Sequence, residues 1–174
     1  MHTITRYMSV VLIAGTAILG AGQCLAAKAP AAAEFYPLVG KWHGKGQLVE
    51  AGQAAVKLAL NMTCNKVSSG WGVQCTMDAR NKQMAMSESD LMGVDPVTGQ
   101  AHWYAVTNQG ETHDHLVKWT DAHTMLAHYD WTQDGKLMHE SITFKLKGKQ
   151  AMSFKSIVTA DNQQVASFSG ELRH

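Results

Sequence analysis

A chain of 174 residues carrying 15 Lys and Arg against 14 Asp and Glu is long enough for one domain of ordinary size and too short for two. Its near-zero net charge and the lack of clustered basic residues exclude partners held by phosphate contacts, namely nucleic acid and anionic membrane surfaces. One apolar core is expected.

The amino terminus carries Arg6, then the apolar run Val10 to Leu19, then small residues through Cys24-Leu25-Ala26-Ala27. That is the charged, apolar and cleavable layout of a secretory signal. The run is short for a bilayer span, so no stable membrane insertion is expected after cleavage. Small residues at the minus three and minus one positions place the cut after Ala26, giving a signal peptide over 1–26. An acylated Cys24 is the weaker alternative, because Gln23 stands where a small residue should precede the cysteine. Cleavage removes Arg6, His2 and no acid, leaving a formally neutral chain with eight histidines. Such a chain turns cationic as the pH falls through about 6.5. Export puts it in the periplasm or outside the cell.

Residues 27–37 form a small-residue leader ending in Phe35-Tyr36-Pro37, expected to close one end of a domain over 38–174. From Gly40-Lys41-Trp42 onward the chain is a succession of strand-length runs separated by turn residues, with no amphipathic stretch long enough for a crossover helix. Ten strands are expected: Gly40 to Glu50, Val56 to Lys66, Trp71 to Arg80, Gln83 to Val94, Gln100 to Thr107, Thr112 to Trp119, Thr124 to Thr132, Lys136 to Lys147, Gln150 to Thr159 and Gln164 to Arg173. Alternation is clearest in the second, where Val56, Leu58, Leu60, Met62 and Cys64 share a face. One-sided strands joined by short turns make an all-β, up-and-down antiparallel meander, and closing it into a barrel removes the exposed edges.

Without the signal only Cys64 and Cys75 remain, an even pair in an exported protein. A hairpin centred between Ser69 and Gly70 sets them directly opposite each other, within disulfide reach. No C-x-x-C motif suggests thiol redox chemistry.

Carrying the alternation through each hairpin turns Trp71, Tyr104, Val106, Tyr129, Trp131 and most methionines inward. The same bookkeeping turns Glu88, Asp90, His102, His113, His115 and Glu140 inward. A one-residue bulge reverses any of these assignments. The interior expected is an apolar, Met-rich chamber with an ionisable patch. The stretch Gly93 to Trp119 concentrates that patch: its turns at Asp95 to Gly99 and Asn108 to Gly110 bring His102 across from the H-x-H pair His113 and His115. Three imidazoles so placed can hold zinc and leave a fourth position open. The competing reading is half-exposed histidines bonded to Glu111 and Asp114. Glu88 and Asp90 can orient histidines or take a cationic group, and Glu140 has the same two readings, in the lumen or in water. Methionine here is adaptable filling rather than a soft-metal ligand set. There is no G-x-S-x-G, no phosphate-binding Gly loop and no Cys nucleophile paired to His, so no familiar enzyme class is indicated.

Gly40-Lys41-Trp42 resembles the opening Gly-x-Trp of the calycin superfamily, the lipocalins and their relatives. That resemblance implies a small-molecule-binding barrel in which Arg173, near the end of the last strand, packs over Trp42. Gly93 to Pro96, Trp103-Tyr104, Asn108 to His115 and Asp134 to Lys136 look like a bacterial domain-of-unknown-function family of exported lipocalin-like barrels. Ten strands without a helical lid are also similar, more distantly, to nitrobindin-like haem barrels, although no matching motif places a haem-ligating histidine. The expected function is therefore binding of a largely apolar small molecule without a required cofactor. Its ligand contacts are expected from His102, Tyr104, His113, His115, Tyr129, Glu88, Asp90 and Glu140. The alternatives are a haem or zinc barrel with redox or hydrolytic activity, the zinc on His102, His113 and His115, and a structural envelope protein with a filled barrel.

Overall fold

The structure, a computed structural model, describes residues 31 to 174; the expected signal segment and its cleavage point lie outside them. Ten strands follow a short 3-10 helix over Ala31–Leu38: β1 Gly40–Glu50, β2 Val56–Val67, β3 Gly72–Arg80, β4 Ala85–Val94, β5 Ala101–Thr107, β6 Thr112–Trp119, β7 Thr124–Gln133, β8 Lys136–Leu146, β9 Ala151–Ala160 and β10 Gln163–Arg173. They match the ten expected segments, with ends differing by a residue or two. Each strand pairs antiparallel with the next, and β10 pairs with β1, so the sheet is a closed barrel. Among the described residues no helix is long and apolar enough to cross a membrane.

The tight turns have the backbone their residues favour. Asp134 and Gly135 join β7 to β8 with φ of 51° and 75°, and Asp161 and Asn162 join β9 to β10 with φ of 48° and 66°. Two consecutive positive φ angles twist a hairpin in the same sense as its strands. Cys64 and Cys75 are directly opposed on β2 and β3 and form the expected disulfide, with their Cα atoms 4.0 Å apart and both side chains buried.

One end of the barrel is plugged. The 3-10 helix buries Phe35 and Leu38, and the Trp42 indole Nε1 donates to the Leu38 carbonyl at 2.8 Å. Tyr36 Oη donates to the Gly70 carbonyl at 2.9 Å, and Lys66 Nζ lies 3.5 Å from the centre of the Tyr36 ring. Val73, Met92, Val117, Met125, Met152 and Leu172 fill the adjoining half of the lumen. At the seam between β1 and β10, a Cβ on Gly44 would fall 1.8 Å from the Glu171 carbonyl oxygen. One on Gly170 would fall 2.5 Å from Leu60 Cδ1. These glycines are required by space, because real Cβ atoms do not approach so closely.

Several residues expected inside are not there. Trp71, Tyr104 and Val106 are 50%, 45% and 44% exposed. For β5 the cause is the turn over residues 95–100, which pairs Val94 with Ala101. Even-numbered inward residues of β4 therefore meet odd-numbered inward residues of β5, so Ala101, Trp103 and Ala105 are buried while His102, Tyr104 and Val106 face out. Arg173 does not cover Trp42 either. Its neighbour Leu172 is buried, which turns Arg173 outward opposite His43. The His174 ring meets Trp42 edge-on instead, with centroids 4.7 Å apart.

Replacing Cys64 and Cys75 together by alanine removes the loop constraint across a sequence separation of 11. It should lower the unfolding free energy by about 2 to 3 kcal/mol in urea denaturation. An unchanged midpoint would show that the covalent link contributes nothing to stability.

Candidate functional site

The half of the barrel away from the plug encloses a cavity of about 490 Å³. Its apolar wall includes Met77, Met84, Met86, Met138, Phe154 and Phe168, and Asn108, Gln109 and Glu111 of the β5–β6 turn stand at its mouth. A second depression lies on the outer wall over Gly46 and Gly170, lined by Lys45, Lys57, Arg80 and Lys82. It holds no buried polar group, so the chemistry lies in the lumen.

Inside, β6 supplies His113 and His115 and β8 supplies Glu140. Tyr129 on the intervening β7 pairs directly with Glu140. The Glu140 carboxylate is 13% exposed and the His115 ring 2%. His115 Nε2 lies 3.0 Å from Glu140 Oε2, and His113 Nδ1 lies 3.6 Å from the same oxygen. Ser156 on β9 donates its hydroxyl to Glu140 Oε1 at 2.6 Å. His115 Nδ1 sits 3.3 Å from the Trp103 carbonyl oxygen, directly across the β5–β6 ladder. His113 stacks on Tyr129 at 4.8 Å between centroids and lies 5.6 Å from Trp131, while the His115 ring lies 5.1 Å from Trp103.

Burial alone would push the Glu140 carboxyl up. Bonds from His113, His115 and Ser156, with the charge of His115, outweigh it and hold that carboxyl well below the usual range. The bond to Glu140 in turn raises His113, against its own burial. Glu88 and Asp90 behave oppositely. Burial, then repulsion from Asp90 and Glu140, raises Glu88 to about 8. Burial also raises Asp90, although the Trp103 indole donates to it at 2.8 Å and His115 is nearby, both of which pull it down. The chamber thus has one strongly ionised carboxylate and two acids that resist ionisation.

Of the residues expected to converge, the lumen brings together Glu88, Asp90, His113, His115, Tyr129 and Glu140. It leaves out His102, whose ring bonds Asp114 at 3.0 Å on the outer face, and Tyr104. The three-imidazole set of His102, His113 and His115 is therefore not formed, because the turn at 95–100 reverses β5; Glu140 stands beside the other two histidines. Sequence reasoning missed Trp103 and Ser156. In β5 the outward His102, Tyr104 and Val106 are as bulky and nearly as apolar as the inward Ala101, Trp103 and Ala105. Only the small alanines beside one large indole hinted at which face was packed.

Neither a family model nor a curated protein sequence matches the chain. Among solved structures it is similar to Rv2717c from M. tuberculosis, with a TM-score of 0.62 and 14% identity over 84% of this chain and 98% of that one. It is also similar to the S-type phycobiliprotein lyase CPES from Guillardia theta, with a TM-score of 0.53 and 12% identity over 80% of this chain and 90% of that one. At such identities the likeness establishes the fold alone, a closed antiparallel β-barrel.

The raised Glu88 has a definite sign in stability. Below its ordinary value of 4.5 the acid is neutral folded or unfolded; between there and about 8 the unfolded chain ionises while the folded one keeps its proton. Stability is therefore lost as pH rises through that window. E88Q should match the wild type at about pH 4, below the ordinary value, and exceed it above pH 8 by on the order of 1 to 3 kcal/mol in denaturant titrations. Equal pH profiles for the two proteins would show that Glu88 ionises freely when folded.

Proposed function

We propose that the protein is an exported, lipocalin-like binding barrel whose guest is a small, largely apolar molecule with one polar or cationic group. The single observation that carries this reading is the lumen: about 490 Å³ lies within the range of small-molecule sites, which pair apolar walls with a few convergent polar groups. The ionisable groups lining it are Glu88, His113, His115 and Glu140, with Tyr129 stacked on His113 and Asp90 buried in the same lumen. Methionines suit a wall that must adapt to a flexible guest. Export is supported by the leader and by the Cys64–Cys75 disulfide, a bond that persists in oxidising compartments. The resemblance to exported bacterial barrels belongs to the same reading, and an open lumen weighs against a barrel that is merely filled.

Trp103 and Trp131 line the cavity and report on its contents. An apolar fluorophore added to the protein should quench or accept their emission, and members of a lipid and metabolite panel should displace it and be retained in native mass spectra. Ala105→Phe, which fills the lumen, should weaken dye binding about tenfold or more, a loss of roughly 1.4 kcal/mol. No dye uptake and no retained compound from the panel would overturn the proposal.

A further inference from the structure

The geometry points to a divalent-metal site of the zinc class in the lumen, with His113, His115 and Glu140 as the protein ligands and the open coordination positions facing the cavity. This deepens the small-molecule reading and shares its chamber. Metal binding needs no guest, however, so it is tested apart from it.

One donor atom from each of the three residues lies within 4.8 Å of the other two. Two of the three edges are 3.0 and 3.6 Å. A cation held at about 2.0 to 2.1 Å by nitrogen and oxygen donors in tetrahedral array sets neighbouring donors roughly 3.3 Å apart. Those two edges already bracket that value. The third is at most 4.8 Å, and it is the edge that a bound ion would draw in through His113, the most exposed of the three at 19%.

Each ligand is also oriented from behind. The Trp103 carbonyl can only accept, so His115 Nδ1 carries the proton there. Nε2 and Glu140 Oε2, 3.0 Å apart, then need a positive centre between them. A proton fills that need in an ion pair; a metal ion fills it and engages His113 as well. Ser156 occupies Glu140 Oε1 and leaves Oε2 to the cation. Tyr129 and Trp131 hold the His113 ring by stacking. Such outer partners are what fix ligand tautomer and direction in metal sites. Two imidazoles and one carboxylate form a borderline donor set that suits zinc with an open position. Calcium and magnesium prefer all-oxygen cages.

The test uses chelator-treated protein titrated with Zn²⁺ by calorimetry and with Co²⁺ by visible absorption. One ion per chain is expected, with the intense ligand-field bands of four- or five-coordinate cobalt. H113A and E140Q should each weaken binding about tenfold or more, and S156A should weaken it severalfold. H102A, on the outer face, should leave it unchanged. Circular dichroism and thermal melts of each variant separate lost binding from lost folding, and E140Q keeps the shape of the side chain it replaces. No bound ion, or binding that survives the H113A/E140Q pair, or binding lost in H102A, would overturn the inference. Dye uptake by a protein that takes no metal would sink this inference and leave the small-molecule reading standing; metal uptake without dye would do the reverse.

Discussion

The seam between β1 and β10 governs every inward residue of this barrel. Alternation between inside and outside survives a full circuit of a closed sheet only if the last strand meets the first with inward residues opposite inward ones. The pairs Gly44–Leu172, Gly46–Gly170 and Leu48–Phe168 satisfy that condition. Three of those six residues are glycines: the space at Gly46 and Gly170 is taken up by Leu60 and by the Phe154 and Phe168 rings, and the space at Gly44 by the backbone of Glu171 and Leu172. Tight packing at the seam lets the two edges meet. It also removes the unpaired backbone that an open meander would offer to other chains.

Closure has an electrical consequence. Acids that would be unremarkable on an open sheet face a common low-dielectric space once the sheet becomes a tube, and there each needs a partner or a proton. Glu140 has partners on three sides, from β6 twice and from β9. Asp90 has the Trp103 indole. Glu88, nearer the mouth, is left with the repulsion of both, and its proton stays on. A single chamber therefore holds carboxyl groups of opposite character, which is the electrostatic contrast expected where a polar group of a guest must be oriented.

The plug explains why this polarity sits in one half only. Phe35, Leu38 and Trp42 close the end where β1 begins, and the side chains above them leave no room for a guest. At the opposite end the turns are short and polar, and methionines and aromatic rings line an accessible space. Close packing and open space are thus divided along the barrel axis.

Ten strands, their antiparallel order and the Cys64–Cys75 bridge were legible in the residues alone, because period-two patterning, turn residues and cysteine spacing are local properties. So was the inward direction of His113, His115 and Glu140: their strands alternate clearly, and the two-residue Asp134-Gly135 turn before β8 fixes the pairing that sets Glu140 opposite Tyr129. The facing of β5 was not, since the turn at 95–100 shifts parity through its length and backbone, and neither face of Ala101–Thr107 is polar enough to show the difference. Arg173 was misplaced for a similar reason: proximity to Trp42 depends on which side of β10 its side chain leaves. Only the folded barrel decided that Glu140 and Ser156, far along the chain, would meet the H-x-H pair. Such a meeting depends on strand register and barrel curvature, which set distances across the lumen that no spacing within one strand encodes.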